Sequence, residues 1–275
     1  MNSITNGIYI VSTPIGNIKD ITIHAIECLT HADVIFCEDT RKTHFLLNHY
    51  NVKCKKLLIF NEHQGSVDDI INLAKANAVV IVSDAGTPLV CDPGYTIIHN
   101  AHIEQIPITI VPGACALIAS STLCGMNLNN TLFLGFFHKK IIFNAKYTNA
   151  IYIAPHDLHT MFEILRKYEN KYNISLSIAR EVTKKFQEYI FFDNIKDAIK
   201  HFMLKPPKGE FTCFIQFITH KGDVLQEINA VLKDLDGWEN MKTKTLAKFL
   251  HKYIVQSAST KEIYSIVEDM QMKKD

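Results

Sequence analysis

The stretch Ala78-Val79-Val80-Ile81-Val82-Ser83-Asp84-Ala85-Gly86-Thr87-Pro88 sets five consecutive apolar residues directly against a loop of small and turn-forming ones. An apolar run of that length, rich in β-branched residues and closed by a turn, reads as a strand buried on both faces. The same rhythm occurs at Gly7-Ile8-Tyr9-Ile10-Val11, Ala32-Asp33-Val34-Ile35-Phe36, Leu57-Leu58-Ile59-Phe60 and Ile108-Thr109-Ile110-Val111, with helical patterns between. Five buried strands separated by helices predict an α/β domain over residues 1–113, built on a mainly parallel sheet covered on both faces.

Past Gly113 the pattern changes. A helical stretch to about Cys124 leads into strands that alternate more clearly, at Thr131–Phe136, Ala150–Ala154, Ser175–Ala179, Glu188–Phe192 and Phe211–Phe217. Two helices interrupt them, near 157–169 and 195–204, which predicts a second, α+β domain over 114–223. From 224 to 275 the chain reads as helical, with Leu246, Phe249, Leu250 and Tyr253 on one face and Ile263, Ile266 and Val267 on another. Such a pair of short helices fits either a helix-turn-helix reader or a cap on the second domain.

A chain of 275 residues, 47% hydrophobic and 21% charged, can bury a core without disulfides or structural metals. Its 29 Lys and Arg against 28 Asp and Glu leave a net charge of +1, so the whole molecule carries no basic field for nucleic acid, although a local basic face is compatible with it. Seven scattered cysteines without a Cys-x-x-Cys pair indicate neither a disulfide framework nor a zinc site and fit a reducing cytoplasm. No apolar run is long enough for a membrane span, and the N-terminus lacks a signal peptide's basic start, so the sequence predicts a soluble cytoplasmic protein. The histidines show no metal-ligand spacing. Gly-x-Gly-x-x-Gly, the P-loop, Gly-x-Ser-x-Gly and His-Glu-x-x-His are all missing, which disfavours dinucleotide oxidoreductases, P-loop nucleotidases, α/β-hydrolases and zinc proteases.

In a parallel sheet, ligands sit beyond the carboxyl ends of the strands, so the loops that follow the apolar runs carry the chemistry. After the first run, Thr13-Pro14-Ile15-Gly16-Asn17 forms a tight turn poor in side chains. After the second, Glu38-Asp39-Thr40-Arg41 sets two carboxylates and a guanidinium at the edge, either as a helix N-cap with a solvated ion pair or as a polar site. After the fourth, Ser83–Pro88 and Cys91-Asp92-Pro93-Gly94 make a long ordered loop suited to holding a cofactor. After the fifth, Val111-Pro112-Gly113-Ala114-Cys115-Ala116 enters a helix whose first amides suit a carboxylate. The pairs Lys55-Lys56, Lys139-Lys140 and Lys184-Lys185 read as solvated, or together as an RNA path.

These four loops in this order resemble the bacterial small-subunit rRNA ribose-2′-O cytidine methyltransferases, members of the tetrapyrrole-methylase-like (class III) S-adenosylmethionine enzymes. The resemblance continues through Ile178-Ala179-Arg180-Glu181-Val182-Thr183-Lys184 and Lys208-Gly209-Glu210-Phe211, covering residues 7 to about 218. It implies a two-domain fold with a helical C-terminal extension, S-adenosyl-L-methionine as cofactor, a homodimer, and 16S rRNA of the small ribosomal subunit as partner. The implied reaction is methyl transfer to a decoding-region cytidine ribose. Carried over by position, Pro14, Gly16, Asp84, Gly86, Thr87, Pro88, Val90, Cys115, Ala116 and Ala154 would bind the cofactor, with Gly209 beside them. Glu38, Asp39, Arg41, Arg180 and Glu181 would orient the ribose and phosphate, and no metal is implied.

The sequence departs from the family at Ile153-Ala154-Pro155-His156-Asp157-Leu158, where Ile153 and Asp157 stand in place of the family's Glu and Arg. The region after Gly135-Phe136-Phe137 is also less basic than the family's. Two other readings fit the same residues: a same-fold methyltransferase acting on a tetrapyrrole or another small substrate, and a non-catalytic RNA-binding assembly factor.

Overall fold

The computed structural model describes residues 4–60, 67–219, 221–255 and 258–273, the side chains of 221–223 apart. The chain forms two compact units. One contains residues 1–123 together with Arg180–Glu188, and the other contains 124–179 and 189–275. The helix after Gly113 thus belongs to the first unit, and the sequence-based boundary at 113 falls before the structural one.

The first unit alternates strand and helix: β1 (Gly7–Val11), α1 (Ile23–His31), β2 (Val34–Cys37), α2 (Thr40–His49), β3 (Leu57–Ile59), α3 (Val67–Ala74), β4 (Ala78–Ile81), α4 (Tyr95–Ile103), β5 (Ile108–Val111) and α5 (Ala116–Ser121). The strands form one parallel sheet in the order β3-β2-β4-β1-β5. Alternate residues feed two cores, as the two-residue side-chain period of a strand requires. Tyr9, Val11, Ile35 and Val80 pack with Cys28 and Leu29 of α1 and Leu47 of α2. Ile8, Ile10, Phe36 and Ile81 pack with Ile70 of α3 and Ile97 of α4. The three central strands are buried throughout, which is why their sequences are unbroken apolar runs. The outer two differ from the sequence expectation of five buried strands: β3 and β5 sit at the sheet edges, and Ile59 and Ile110 are exposed there.

The second unit contains β6 (Thr131–Phe136), β7 (Thr148–Ile153), α6 (Leu158–Arg166), β8 (Tyr172–Arg180), β9 (Glu188–Phe192), α7 (Ile195–Leu204) and β10 (Phe211–Thr219). Its sheet runs β6-β7-β10-β8-β9 and is mixed, with β6 parallel and β10 antiparallel to β7. In β8, Ile174, Leu176 and Ile178 enter the core with Leu158, Met161 and Leu165 of α6, while the intervening Ser175 and Ser177 are small and also buried. Ile153 lies in that core, so the family's carboxylate position is here an apolar packing position.

The tail adds α8 (Lys221–Leu232), α9 (Thr243–Tyr253) and α10 (Thr260–Met272). Its helices build their own core from Ile228, Trp238, Leu246, Leu250, Ile263 and Val267. A capping box starts α10: Ser259 accepts from the Glu262 N–H, and Glu262 accepts from the Ser259 N–H. Of the face proposed from sequence, Leu246 and Leu250 are buried, whereas Phe249 and Tyr253 are exposed. No helix among the described residues is long and apolar enough to cross a membrane.

Candidate active site

The loops leaving β1, β4 and β5 are tied together by backbone and hydroxyl groups. Thr13 and Gly86 exchange backbone hydrogen bonds of 2.8 and 3.1 Å. The Thr13 hydroxyl donates to the Ser83 carbonyl at 3.2 Å. The Thr87 hydroxyl donates to the Ala114 carbonyl at 3.1 Å and lies 3.0 Å from the Ser12 hydroxyl. A hydroxyl has one proton, so with the Thr87 proton given to Ala114, Ser12 is the donor to Thr87. The relay Ser12 to Thr87 to Ala114 crosses all three loops.

Two glycines permit this closeness. Gly86 has φ +85°, in the left-handed region that L side chains rarely adopt. At Gly113 a Cβ would stand 2.8 Å from the Ser12 Cβ, so only glycine lets the fifth loop pack against the first. The resulting edge is lined by backbone and small hydroxyl residues. Pro88 is buried and Val90 is exposed. Cys115 caps α5 without a side-chain hydrogen bond, and Ala116 is that helix's first residue.

A second contact braces the first loop. The segment Arg180–Glu188 groups with the first unit, and the Asn17 N–H donates to the Thr183 hydroxyl at 3.0 Å. A Cβ on Gly16 would stand 2.5 Å from Lys184 Cγ and 2.7 Å from Thr183 Oγ1. The segment turns through positive φ at Glu181 (50°) and Thr183 (66°), conformations that cost energy in a non-glycine residue and that surrounding bonds must hold. Here the Thr183 N–H donates to Gln187 at 2.6 Å, Lys184 pairs with Glu181 at 3.1 Å, and Arg180 pairs with Glu188 at 3.1 Å. Tyr50 adds a hydroxyl donated to the Ile18 carbonyl.

The carboxylates gather at the ends of β2 and β4. Asp39 caps α2 by accepting the Arg41 N–H at 2.8 Å, and its carboxylate takes two further bonds from the Arg41 guanidinium at 3.1 and 2.7 Å. These bonds hold its carboxyl down at about 2. The Asp39 N–H donates to Asp84 at 3.1 Å, and Lys42 reaches Asp84 at 2.7 Å. Glu38 accepts the Asp84 N–H, yet burial foremost, and then the charges of Asp92 and Asp84, push its carboxyl above the ordinary glutamate range. Asp92 is pushed up by burial and by Asp84. Of the four carboxylates at this edge, Asp39 is held ionised by Arg41, Asp84 pairs with Lys42, and Glu38 and Asp92 have raised proton affinity. Among the described residues no group of three or more His, Cys, Asp or Glu is arranged to hold a metal ion.

Of the residues singled out from sequence, Pro14, Gly16, Glu38, Asp39, Arg41, Asp84, Gly86, Thr87, Pro88, Val90, Cys115 and Ala116 all lie on loops or helix starts that follow the strands of the first unit. Arg180 and Glu181 open the bracing segment, where their partners are Glu188 and Lys184. Ala154 belongs to the second unit, between β7 and the short turn Pro155–Asp157, and Gly209 lies in that unit with φ +87°. Sequence reasoning passed over Ser12 and Lys42, and took Asp92 and Thr183 only as members of a loop and a motif, without a role of their own. Ser12 and Thr13 had a local signal, since hydroxyl residues follow the apolar run where a buried strand would continue with apolar ones.

The chain matches the profile of the Tetrapyrrole (Corrin/Porphyrin) Methylases over residues 7–198. It is 39% identical over 204 residues to the ribosomal RNA small subunit methyltransferase I of Hydrogenobaculum sp., covering 70% of this chain and 87% of that one. Identity to the protein of that name from Rickettsia prowazekii is 34% over 279 residues, covering 95% of this chain and 96% of the relative. Among solved structures, a uroporphyrin-III-C-methyltransferase from Thermus thermophilus superposes with a TM-score of 0.56 at 16% identity, covering 76% of this chain and 94% of that one, a likeness of fold. The parallel-sheet first unit and the mixed-sheet second unit are therefore those of a class III methyltransferase fold. Full-length similarity to the rRNA proteins narrows the placement: this chain belongs to the tetrapyrrole methylase family, within its ribosomal RNA small subunit methyltransferase I group.

Proposed function

We propose that this protein methylates the RNA of the small ribosomal subunit, placing a methyl group from S-adenosyl-L-methionine on the ribose 2′-oxygen of a decoding-region cytidine. We read it as a cytoplasmic enzyme that works as a homodimer. The observation that carries the reading is the Ser12–Thr87–Ala114 relay in a chain related over nearly its whole length to rRNA small subunit methyltransferases.

The residues present fit the cofactor. Gly86 and Gly113 let the three loops close on one another, and at the strand ends those loops offer amides, carbonyls and hydroxyls instead of bulky side chains. Pro14, Gly16, Asp84, Gly86, Thr87, Pro88, Val90, Cys115 and Ala116 would hold S-adenosyl-L-methionine. When bound, it supplies a methyl group made electrophilic by a sulfonium.

The remaining work falls to the protein's own side chains. Positioning of the acceptor supplies most of the acceleration, because holding reactants in line removes an entropic barrier. Asp39, ionised through its bonds to Arg41, fixes that guanidinium at the site edge, where it can meet a phosphate. Glu38 accepts the hydroxyl proton, as its raised proton affinity suits a general base better than Asp39 does. Arg180 and Glu181, through Glu188 and Lys184, keep the bracing segment in place against the first loop.

Comparison of acceptors tests the reading: the purified protein is given S-adenosyl-L-methionine with undermethylated small subunits or with a reduced tetrapyrrole. Methylation of the subunits alone is expected. Methylation of the tetrapyrrole alone would move the protein to the small-molecule side of the family, and cofactor binding without methyl transfer to subunits that the protein binds would favour an assembly factor.

A further inference from the structure

The near-neutral tail hides a separation of charge. Between Met241 and Tyr253 there are four lysines and no acid, whereas Glu227, Asp234, Asp236, Glu239, Glu262, Glu268 and Asp269 lie on the neighbouring tail segments. Lys244, Lys248 and Lys252 recur every fourth residue of α9, so they form one stripe with steps of about 6 Å along the axis. All three are exposed. Neither Lys244 nor Lys248 has an ion pair among the described residues, whereas Glu262 is engaged in its capping box and Glu268 accepts from Tyr264.

Beside this stripe stands an aromatic pair. Phe249 and Tyr253 have ring centres 5.3 Å apart, and Lys252 Nζ lies 4.8 Å from the Tyr253 ring centre. Their exposures are 45% and 61%, although Leu246, Ala247 and Leu250 of the same helix are buried in the tail core. Half of α9 therefore holds the helix in place and the other half presents cations next to stackable rings. That combination suits single-stranded nucleic acid, whose phosphates meet the cations while a base meets an aromatic face.

The tail's place in the family points the same way. The tetrapyrrole methylase profile ends at residue 198, before the tail begins. The uroporphyrin-III-C-methyltransferase, almost wholly matched itself, leaves about a quarter of this chain without a counterpart. The rRNA methyltransferase relative from Rickettsia prowazekii matches 95% of the chain, and the uncovered remainder is much shorter than the tail.

We infer that the exposed face of α9, through Lys244, Lys248, Lys252, Phe249 and Tyr253, is an RNA-docking surface that grips a single-stranded segment of the substrate. The inference deepens the proposed function, and rests on it for the identity of the RNA.

The test uses the full chain, the double variant Lys244→Glu/Lys248→Glu, and separately Phe249→Ala, with thermal melting and S-adenosyl-L-methionine binding as controls of integrity. Two RNA probes are needed: polyuridylate, which reports docking whatever the methyl acceptor, and small ribosomal subunits. For the double variant the expected result is polyuridylate affinity lower by on the order of tenfold or more, with a salt slope shallower by about one to two. Phe249→Ala is expected to weaken affinity on the order of tenfold with the slope unchanged. With subunits, KM for the subunit rises in both variants while kcat at saturation and cofactor affinity stay as in the wild type. Unchanged affinity and slope on polyuridylate would overturn the surface. So would a loss of binding confined to anionic phospholipid vesicles, or a dimer that falls apart in the variants. Charge-dependent polyuridylate binding without methylation of subunits would keep the docking face and remove the proposed reaction.

Discussion

The backbone N–H of Asn17 donates to the hydroxyl of Thr183 over 3.0 Å, joining residues 166 positions apart in the chain. Gly16, immediately before it, has no room for a side chain because Lys184 and Thr183 occupy that space. The first loop is thus shaped by a strained segment from far along the sequence as well as by its own Pro and Gly.

Gly16→Ala tests that brace. The Val182 carbonyl lies 3.1 Å from the new Cβ and, being backbone, cannot swing aside as Lys184 can. Overpacking of this sort costs about 1–3 kcal/mol. A lower melting temperature and weaker cofactor binding are expected together by calorimetry, whereas Lys184→Ala alone should leave the fold intact.

Thr87→Val keeps the shape of the side chain but removes both the acceptor for Ser12 and the donor to Ala114. Loss of these bonds costs about 1–2 kcal/mol of stability. Cofactor affinity should fall on the order of tenfold, a ΔΔG of about 1.4 kcal/mol. Thr87→Ser, which retains the hydroxyl, is expected to bind much as the wild type does.

Glu38→Gln separates activity from stability. The native state binds the Glu38 proton more tightly than the unfolded chain does, so stability falls as pH rises from the ordinary glutamate value through the raised one. At neutral pH the neutral variant is therefore expected to be slightly more stable than the wild type. Turnover should nevertheless drop by about 10²- to 10⁴-fold, with loss of the acid limb of the rate profile, as for removal of a general base.

Asp39→Asn has the opposite sign. The Asp39 carboxyl, held at about 2 by Arg41, contributes stability that is complete above the usual aspartate value and is lost as pH falls towards 2. Acid unfolding followed by circular dichroism should show the wild type losing its advantage over the variant in that window, while above it the variant melts at a lower temperature.

In the tail, Leu250→Ala opens a cavity in the core that includes Trp238 and Ile263, a change that costs about 2–5 kcal/mol. Limited proteolysis is expected to cut the variant's tail first. Cofactor binding, assigned to residues outside that core, should persist.

Much of the fold was legible because the central strands are buried on both faces. Val79, Val80 and Ile81 must all be apolar when helices cover both sides of the sheet, and their run ends where the chemistry begins. The edge strands were read as more buried than they are, since Leu57-Leu58-Ile59 carries the same local pattern without a second neighbour to shield Ile59. At the candidate site the loops and Asp39 could be found from sequence, and the geometry of Asp39 is that of the N-cap with a solvated ion pair, one of the two readings of Glu38–Arg41. The partners were not legible. Thr183 meets Asn17, Lys42 meets Asp84 and Asp92 acts on Glu38 over long sequence separations, and local periodicity carries no signal for such pairings. The charge separation in the tail was legible in the spacing of Lys244, Lys248 and Lys252, but a count over the whole tail, nearly balanced between acids and bases, conceals it.

Mapping the methylated position tests the central claim most directly. Small ribosomal subunits lacking ribose methylation are incubated with the protein and S-adenosyl-L-methionine carrying a labelled methyl group, and the modified nucleotide is identified after digestion. The account predicts label on the 2′-oxygen of one decoding-region cytidine, with Glu38→Gln and Thr87→Val strongly reduced. Label on a base, on another region of the RNA or on a ribosomal protein would contradict it.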